Sequence, residues 1–161
     1  MEKKIYKNTL KHLRIKDSIP INLNFIRIIE ELKLKAVDLM KSFTGNIHIS
    51  AIFDNKYKIL SIGTNMCANR RHTIKWKSQK CSEVDCMHNL LFNKTSSRAR
   101  NTLKKRIKTY RMIVLRVDKD GVIKNSEPCC VCQQLKKKFG FKLIFPYHPI
   151  DDKKNLYFTS I

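Results

Sequence analysis

Two short cysteine motifs in this chain have the residue types and spacing for metal chemistry. The first is Cys81-Ser82-Glu83, and the second is Pro128-Cys129-Cys130-Val131-Cys132. Cys129 and Cys132 lie three residues apart, so a helix places both thiols on one face. With Cys81 they make three thiolates, and three protein ligands leave the fourth tetrahedral position of a Zn²⁺ ion open, the catalytic rather than the structural arrangement. Zn²⁺ is therefore the expected cofactor. Glu83, two residues past Cys81, sits close to such an ion without having to bind it. A carboxylate there can take a proton from water that the metal brings to a pKa near about 7.

The local sequence favours ionised thiols. Pro128 suits the first turn of a helix, because its missing N–H is not needed there, and Asn125 and Ser126 are candidate caps just before it. Cys81 also begins a helical pattern. The positive end of each helix favours thiolate over thiol. Between Asn55 and Val117, Glu83 and Asp85 are the only carboxylates among 16 Lys or Arg residues. Alone, a Glu on the first turn of a helix reads as a dipole partner; beside two metal-type cysteine motifs it reads as a proton shuttle. Of the remaining thiols, Cys130 points away from its two neighbours. Cys86, five residues past Cys81, falls toward the back of the helix and reads as core. His88 paired with Cys86 would be a different ligand set, one that leaves Glu83 without a role. A closed knuckle of Cys81, Cys86, Cys129 and Cys132 is the rival reading.

The elements that must position these residues follow from periodicity. Phe25, Ile29, Leu32, Ala36, Leu39 and Phe43 recur at helical steps from Asn22, with Ile26, Val37 and Met40 widening the stripe. Gly45-Asn46 is read as a left-handed stop. Ile47–Phe53 and Tyr57–Gly63 are β-rich runs joined by Asp54-Asn55-Lys56, a hairpin. Residues 64–80 are a basic loop with Arg70, Arg71, His72 and Trp76. A second helix spans Cys81 to Phe92, and a basic segment from Thr95 to Tyr110 turns helical after Ser97. A strand covers Met112 to Val117, followed by a turn over 118–121. A third helix runs from Pro128 to about Phe139, stopped by Gly140. Strands from Lys142 to Pro146 and Leu156 to Ile161 complete the chain. The order predicts an α/β three-layer fold, a five-stranded mixed sheet flanked by helices. The last connection is too short for a parallel crossover, so the final two strands are read as antiparallel neighbours.

Composition bounds the rest. At 161 residues and 42% hydrophobic, the chain fits one core-forming domain. We divide it into a basic N-terminal arm over 1–21 and a single domain over 22–161, with 93–111 as a basic insertion. No apolar run reaches the roughly 18 residues of a membrane span, and the N-terminus lacks a signal-peptide stretch. An intracellular setting, cytoplasmic or nuclear, is expected, with reduced cysteines and no membrane partner. The net charge of +21 fits an acidic partner such as nucleic acid, and equally a Lys-, Ile- and Asn-rich composition with no such partner. Arg70, Arg71, Arg98, Arg100, Lys104, Lys105 and Arg106 are the candidate contacts to phosphate or nucleic acid. His72 and Trp76 are candidates for stacking on a base, Trp76 reading more readily as core. A homo-oligomer is compatible with the sequence.

The two motifs resemble those of the cytidine deaminase-like superfamily, in which a His or Cys ligand stands two residues before a catalytic Glu and Pro-Cys-x-x-Cys follows. The resemblance covers most of residues 22–161. It includes the order of elements, Gly63-Thr64-Asn65 at the end of the second strand, and the stretch from Asn125 to Cys129, which is similar to poorly characterised deaminase domains, several of them viral. It implies that Cys81, Cys129 and Cys132 bind Zn²⁺ and that Glu83 is catalytic. It also implies that Asn65 contacts a cytosine-bearing substrate, whether nucleoside, nucleotide or nucleic acid. By resemblance, zinc-bound hydroxide attacks the amidine carbon and Glu83 shuttles protons. A Cys first ligand and an antiparallel final pair resemble the cytidine deaminase branch. Two departures stand out. The 44 residues between Glu83 and Pro128 are more than is usual in the family. Three thiolates also make an anionic centre that needs a positive group, from helix termini or from Arg70, Arg71 or Arg116. The alternative function is a non-catalytic basic zinc module that binds nucleic acid.

Overall fold

The structure, a computed structural model, describes residues 13–15, 22–43, 45–66, 81–92, 97–147 and 156–161. Helix α1 spans Leu23–Leu39. Asn22 caps it, its Oδ1 accepting from Phe25 N at 2.9 Å, which satisfies one of the open donors at the helix start. Phe25, Ile26, Ile29, Leu32 and Ala36 are buried, whereas Val37 and Phe43 are largely exposed. The helix does not end on a left-handed Gly45. It tightens into a 3-10 turn over Met40–Ser42, and Phe43 then turns extended. The left-handed glycines among the described residues are Gly121 and Gly140.

Strands β2 (Ile47–Phe53) and β3 (Ile59–Thr64) form the expected hairpin. Asp54 Oδ1 organises its turn by accepting from Lys56 N and Lys58 N. Helices α2 (Ser82–Phe92) and α3 (Ser97–Arg106) follow, then β4 (Arg111–Val117). After the Gly121 turn comes β5 (Ile123–Lys124), a short strand that sequence periodicity did not reveal. Helix α4 (Cys130–Phe139) ends at Gly140, whose φ of 76° lets its N–H cap Lys136 O. Strands β6 (Lys142–Tyr147) and β7 (Leu156–Ser160) close the chain. Strand β1 (Leu13–Ile15), in the segment expected to be an arm, pairs parallel to β7.

The sheet order is β1-β7-β6-β4-β2-β3, with β5 pairing off β4. It is mixed: β4 and β6 run parallel, and β6 and β7 are antiparallel as expected. The five expected strands are all present, and β1 and β5 add to them. Residues alternate faces along each strand. Ile47, Ile49, Ala51 and Phe53 of β2 pack with Ile113 and Leu115 against α1. Ile52, Met112, Val114, Leu143 and Phe145 pack against α2 and α4 on the other face. The result is a three-layer α/β arrangement.

One close approach fixes where α2 lies. A Cβ at Gly63 would sit 2.1 Å from Cys86 N and 2.4 Å from Ser82 O, both backbone atoms. The backbone of β3 therefore meets that of α2 with no side chain between them. Polar bonds reinforce the seam: Ser61 Oγ donates to Cys86 O at 2.8 Å, Thr64 N to Asp85 Oδ2 at 3.0 Å, and Asn89 Nδ2 to Ile62 O at 2.8 Å. Gly63→Ala should lower stability by about 1–3 kcal/mol, the usual cost of overpacking. Thermal unfolding checks this, and an unchanged melting temperature would refute the close contact.

Candidate metal centre

Two helix N-termini bring the thiols together. Cys81 immediately precedes α2, and its carbonyl accepts from Asp85 N at 3.1 Å. Cys129 is the N-cap of α4, with its carbonyl accepting from Gln133 N at 3.0 Å. Helix α4 starts two residues later than the sequence implied, so Pro128 lies outside it and neither Asn125 nor Ser126 is its cap. The chain before the helix is held elsewhere: Ser126 N donates to Pro146 O at 3.1 Å.

Cys81, Cys129 and Cys132 form one cluster, with all three sulfurs within 4.8 Å of one another. Cys81 Sγ is 3.8 Å from Cys129 Sγ, and Cys129 Sγ is 3.5 Å from Cys132 Sγ. Tetrahedral zinc with Zn–S bonds of about 2.3 Å puts thiolates about 3.8 Å apart, so the three sulfurs fit such an ion. Cys132 is buried, Cys81 half-buried and Cys129 exposed, so the cluster opens to solvent on the Cys129 side.

The rival ligands stand apart. Cys86 is fully buried, and its thiol donates to Ser61 O at 3.4 Å. Burial pushes its pKa up to about 12, which disfavours the thiolate a metal requires. The His88 ring stacks on Phe92 at 4.7 Å, and neither residue belongs to the metal-competent group. Cys130 is exposed and outside it as well.

Without a cation, three clustered thiols share their protons unevenly. Cys81 is lowered to about 7, first because the Cys132 thiol donates to it, with Cys129 helping, against burial and the charge of Glu83. Cys132 is pushed far up, chiefly because it keeps its proton while donating to Cys81, and further by burial and Glu83. Glu83 thus bears electrostatically on two of the three thiols without joining the cluster. It is buried, and a serine relay holds it. Ser82 Oγ donates to Glu83 Oε2 at 3.1 Å, and Ser50 Oγ lies 2.6 Å from Ser82 Oγ. A hydroxyl has one proton to give, so Ser50 donates to Ser82.

Of the other expected site residues, Asn65 directs both amide atoms to backbone: Oδ1 accepts from His48 N, and Nδ2 donates to Asn46 O. One N–H and one lone pair remain for a ligand. Arg98, Lys104, Lys105 and Arg106 are exposed on α3, with Arg100 partly covered. Arg70, Arg71, His72 and Trp76 lie outside the described residues. Sequence reasoning missed His48 and Arg116 as a pair. They are register partners on β2 and β4, on the face that carries Ser50. Burial lowers the His48 pKa, Glu83 raises it and Arg116 lowers it, so His48 stands electrically between the two and is neutral near pH 7. Arg116 Nε is buried and makes no hydrogen bond among the described residues. The alternation of β2 was the available signal, since His48 and Ser50 share the face opposite its four apolar α1 contacts.

The chain matches no protein-family model and no curated protein.

Two outcomes test the centre. Elemental analysis should find one zinc per chain in the native protein and in Cys86→Ala and Cys130→Ala, and little in Cys129→Ala. Loss of zinc from Cys86→Ala would revive the four-thiol site. Binding requires thiolates, so protons compete with the metal. Zinc affinity should accordingly fall as pH drops from 8 to 6, through the Cys81 value of about 7. Chelator competition at both values measures this, and a pH-independent affinity would contradict thiolate ligation.

Proposed function

We propose that this chain is a zinc-dependent hydrolytic deaminase acting on a cytosine-type base. The observation that carries this reading is a buried carboxylate, Glu83, beside three thiols spaced for tetrahedral zinc but not among them. A closed structural site has no use for such a carboxylate. The layered sheet, with one ligand at the N-terminus of α2 and two at that of α4, is consistent with the cytidine deaminase-like architecture that the motifs resemble.

Cys81, Cys129 and Cys132 would hold the zinc, which when bound would supply Lewis acidity and bring the pKa of water toward about 7. The protein's own part is proton handling. Net hydrolysis forms a C–O bond at the amidine carbon, breaks its C–N bond and releases ammonia. Glu83 accepts a proton from water and delivers protons to the ring nitrogen and the departing amine. Ser82 donates to Oε2, which leaves Oε1 for this traffic and fixes the plane of the carboxylate. Asn65, held by the backbone of Asn46 and His48, offers one donor and one acceptor to the substrate. His48, neutral and beside Glu83, can both donate and accept, and Arg116 brings a cation to the same face of the sheet. That cation and the +21 charge favour a substrate that carries phosphate.

The second reading is a basic zinc module that binds nucleic acid without turnover, and the exposed cations of α3 favour it. It requires no closed fourth ligand, but it leaves Glu83 and its serine relay without a purpose.

Ammonia release from cytidine, deoxycytidine, their monophosphates and single-stranded nucleic acid separates the two readings. Glu83→Gln should keep its zinc and lose about 10²–10⁴-fold in kcat. Ser82→Ala should keep its zinc and lose less. Zinc-loaded protein that releases no ammonia from any of these substrates would overturn the deaminase reading.

A further inference from the structure

Opposite the metal centre, the C-terminal ends of α2 and α4 meet the far end of α3 and enclose a recess of about 390 Å³. Its floor is apolar, made of Leu91, Phe92, Leu135 and Phe139, and its rim is Lys104, Lys108 and Lys138. Among the described residues no carboxylate lines it, and neither α3 nor α4 contains one. The rim cations come from three separate elements: α3, the 3-10 turn Ile107–Thr109 that follows it, and α4. Two aromatic side chains belong to it, and the His88 ring already stacks on one face of Phe92 at 4.7 Å. Phe92 is 42% exposed, with the Arg100 guanidinium 5.7 Å from its ring centroid. The Lys138 ammonium stands 5.6 Å from the ring of Phe139.

We infer that this recess binds single-stranded nucleic acid, taking an unpaired base on Phe92 and Phe139 while Lys104, Lys108 and Lys138 hold the flanking phosphates. Charge complementarity selects an anion, and the rings select one that carries flat, stackable groups. A duplex keeps its bases stacked away from such a hollow. A lipid surface is met by several protruding apolar groups, whereas of these four Phe92 alone is exposed, and Leu91 and Leu135 are buried. The recess and the metal centre occupy the two ends of the same helix pair. Eleven residues of α2 at 1.5 Å each separate them by roughly 16 Å, a distance that a few nucleotides span. The inference rests on the deaminase reading only in making the bound strand a substrate. Binding is read without turnover, so either can fail alone.

Fluorescence anisotropy with a short labelled single-stranded DNA and its RNA counterpart, on the zinc-loaded full chain, tests this. Replacing Lys104, Lys108 and Lys138 together by Ala should shrink the slope of log affinity against log salt by about 2, at roughly 0.7 per phosphate contact on a single strand. Phe92→Ala should weaken binding about fivefold or more, as loss of a base stack does, and Phe92→Tyr should restore it. The matched triple of Lys35, Lys56 and Lys58, exposed near α1, should bind as the native chain does. Equal losses from both lysine triples would show that charge alone attracts the strand and would overturn the site. So would an unchanged affinity in the recess variants, or a loss confined to vesicles of anionic lipid or to an acidic peptide. Circular dichroism and zinc content confirm that each variant is folded.

Discussion

The contact on which the rest depends is the meeting of two backbones, α2 against β3 at Gly63. There is no room for even a methyl group, since a Cβ would lie 2.1 Å from Cys86 N. This brings Ser82 within 2.6 Å of Ser50, which turns Glu83 inward and leaves Cys81 at the mouth of the helix. β3 is also the outermost strand on its side of the sheet. The side chains of α2 occupy backbone groups that such an edge would leave open: Asp85 takes Thr64 N, and Asn89 takes Ile62 O. The seam that covers the edge is the same one that aims the carboxylate.

Across that seam the electrostatics are deliberately crowded. Three thiols and the buried Glu83 are all potential anions in a small volume, and without a cation Cys132 is forced to keep its proton. The helix N-termini at Cys81 and Cys129 offset part of this crowding, and a divalent cation would offset much more. Metal binding at this cluster would therefore be coupled to the stability of this corner, because an ion would relieve a repulsion built into the fold. At the opposite end of the same helices, α3 and the last turn of α4 carry cations and no acid. Lysines in the last turn of α4, before Gly140, also suit the negative end of its dipole.

Much of this was legible in the residues. The α1 stripe, the β2–β3 hairpin, Gly140 as a stop and the antiparallel final pair each follow from local spacing, and they are what the structure contains. The cluster of Cys81, Cys129 and Cys132 was legible too, because a candidate metal site constrains residue type as well as interval. The errors occurred where distant chain segments decide local shape. Gly45 looked like a left-handed stop, but α1 had already ended through a 3-10 turn and an extended Phe43. Asn125 and Ser126 looked like caps, but β6 holds Ser126 N through Pro146 O. Strand β1 exists through its pairing with β7, more than a hundred residues later, and three residues carry no period of their own. The pairing of His48 with Arg116 and the recess below Phe92 are products of register and helix packing, which no single segment encodes.

X-ray absorption at the zinc edge tests the proposed open three-thiolate zinc site most directly. Three sulfur ligands at about 2.3 Å and one nitrogen or oxygen ligand at about 2.0–2.2 Å are expected. The spectrum should be the same in Cys86→Ala. Four sulfur ligands in the native protein would contradict it, because a closed shell leaves no position at which Glu83 could act.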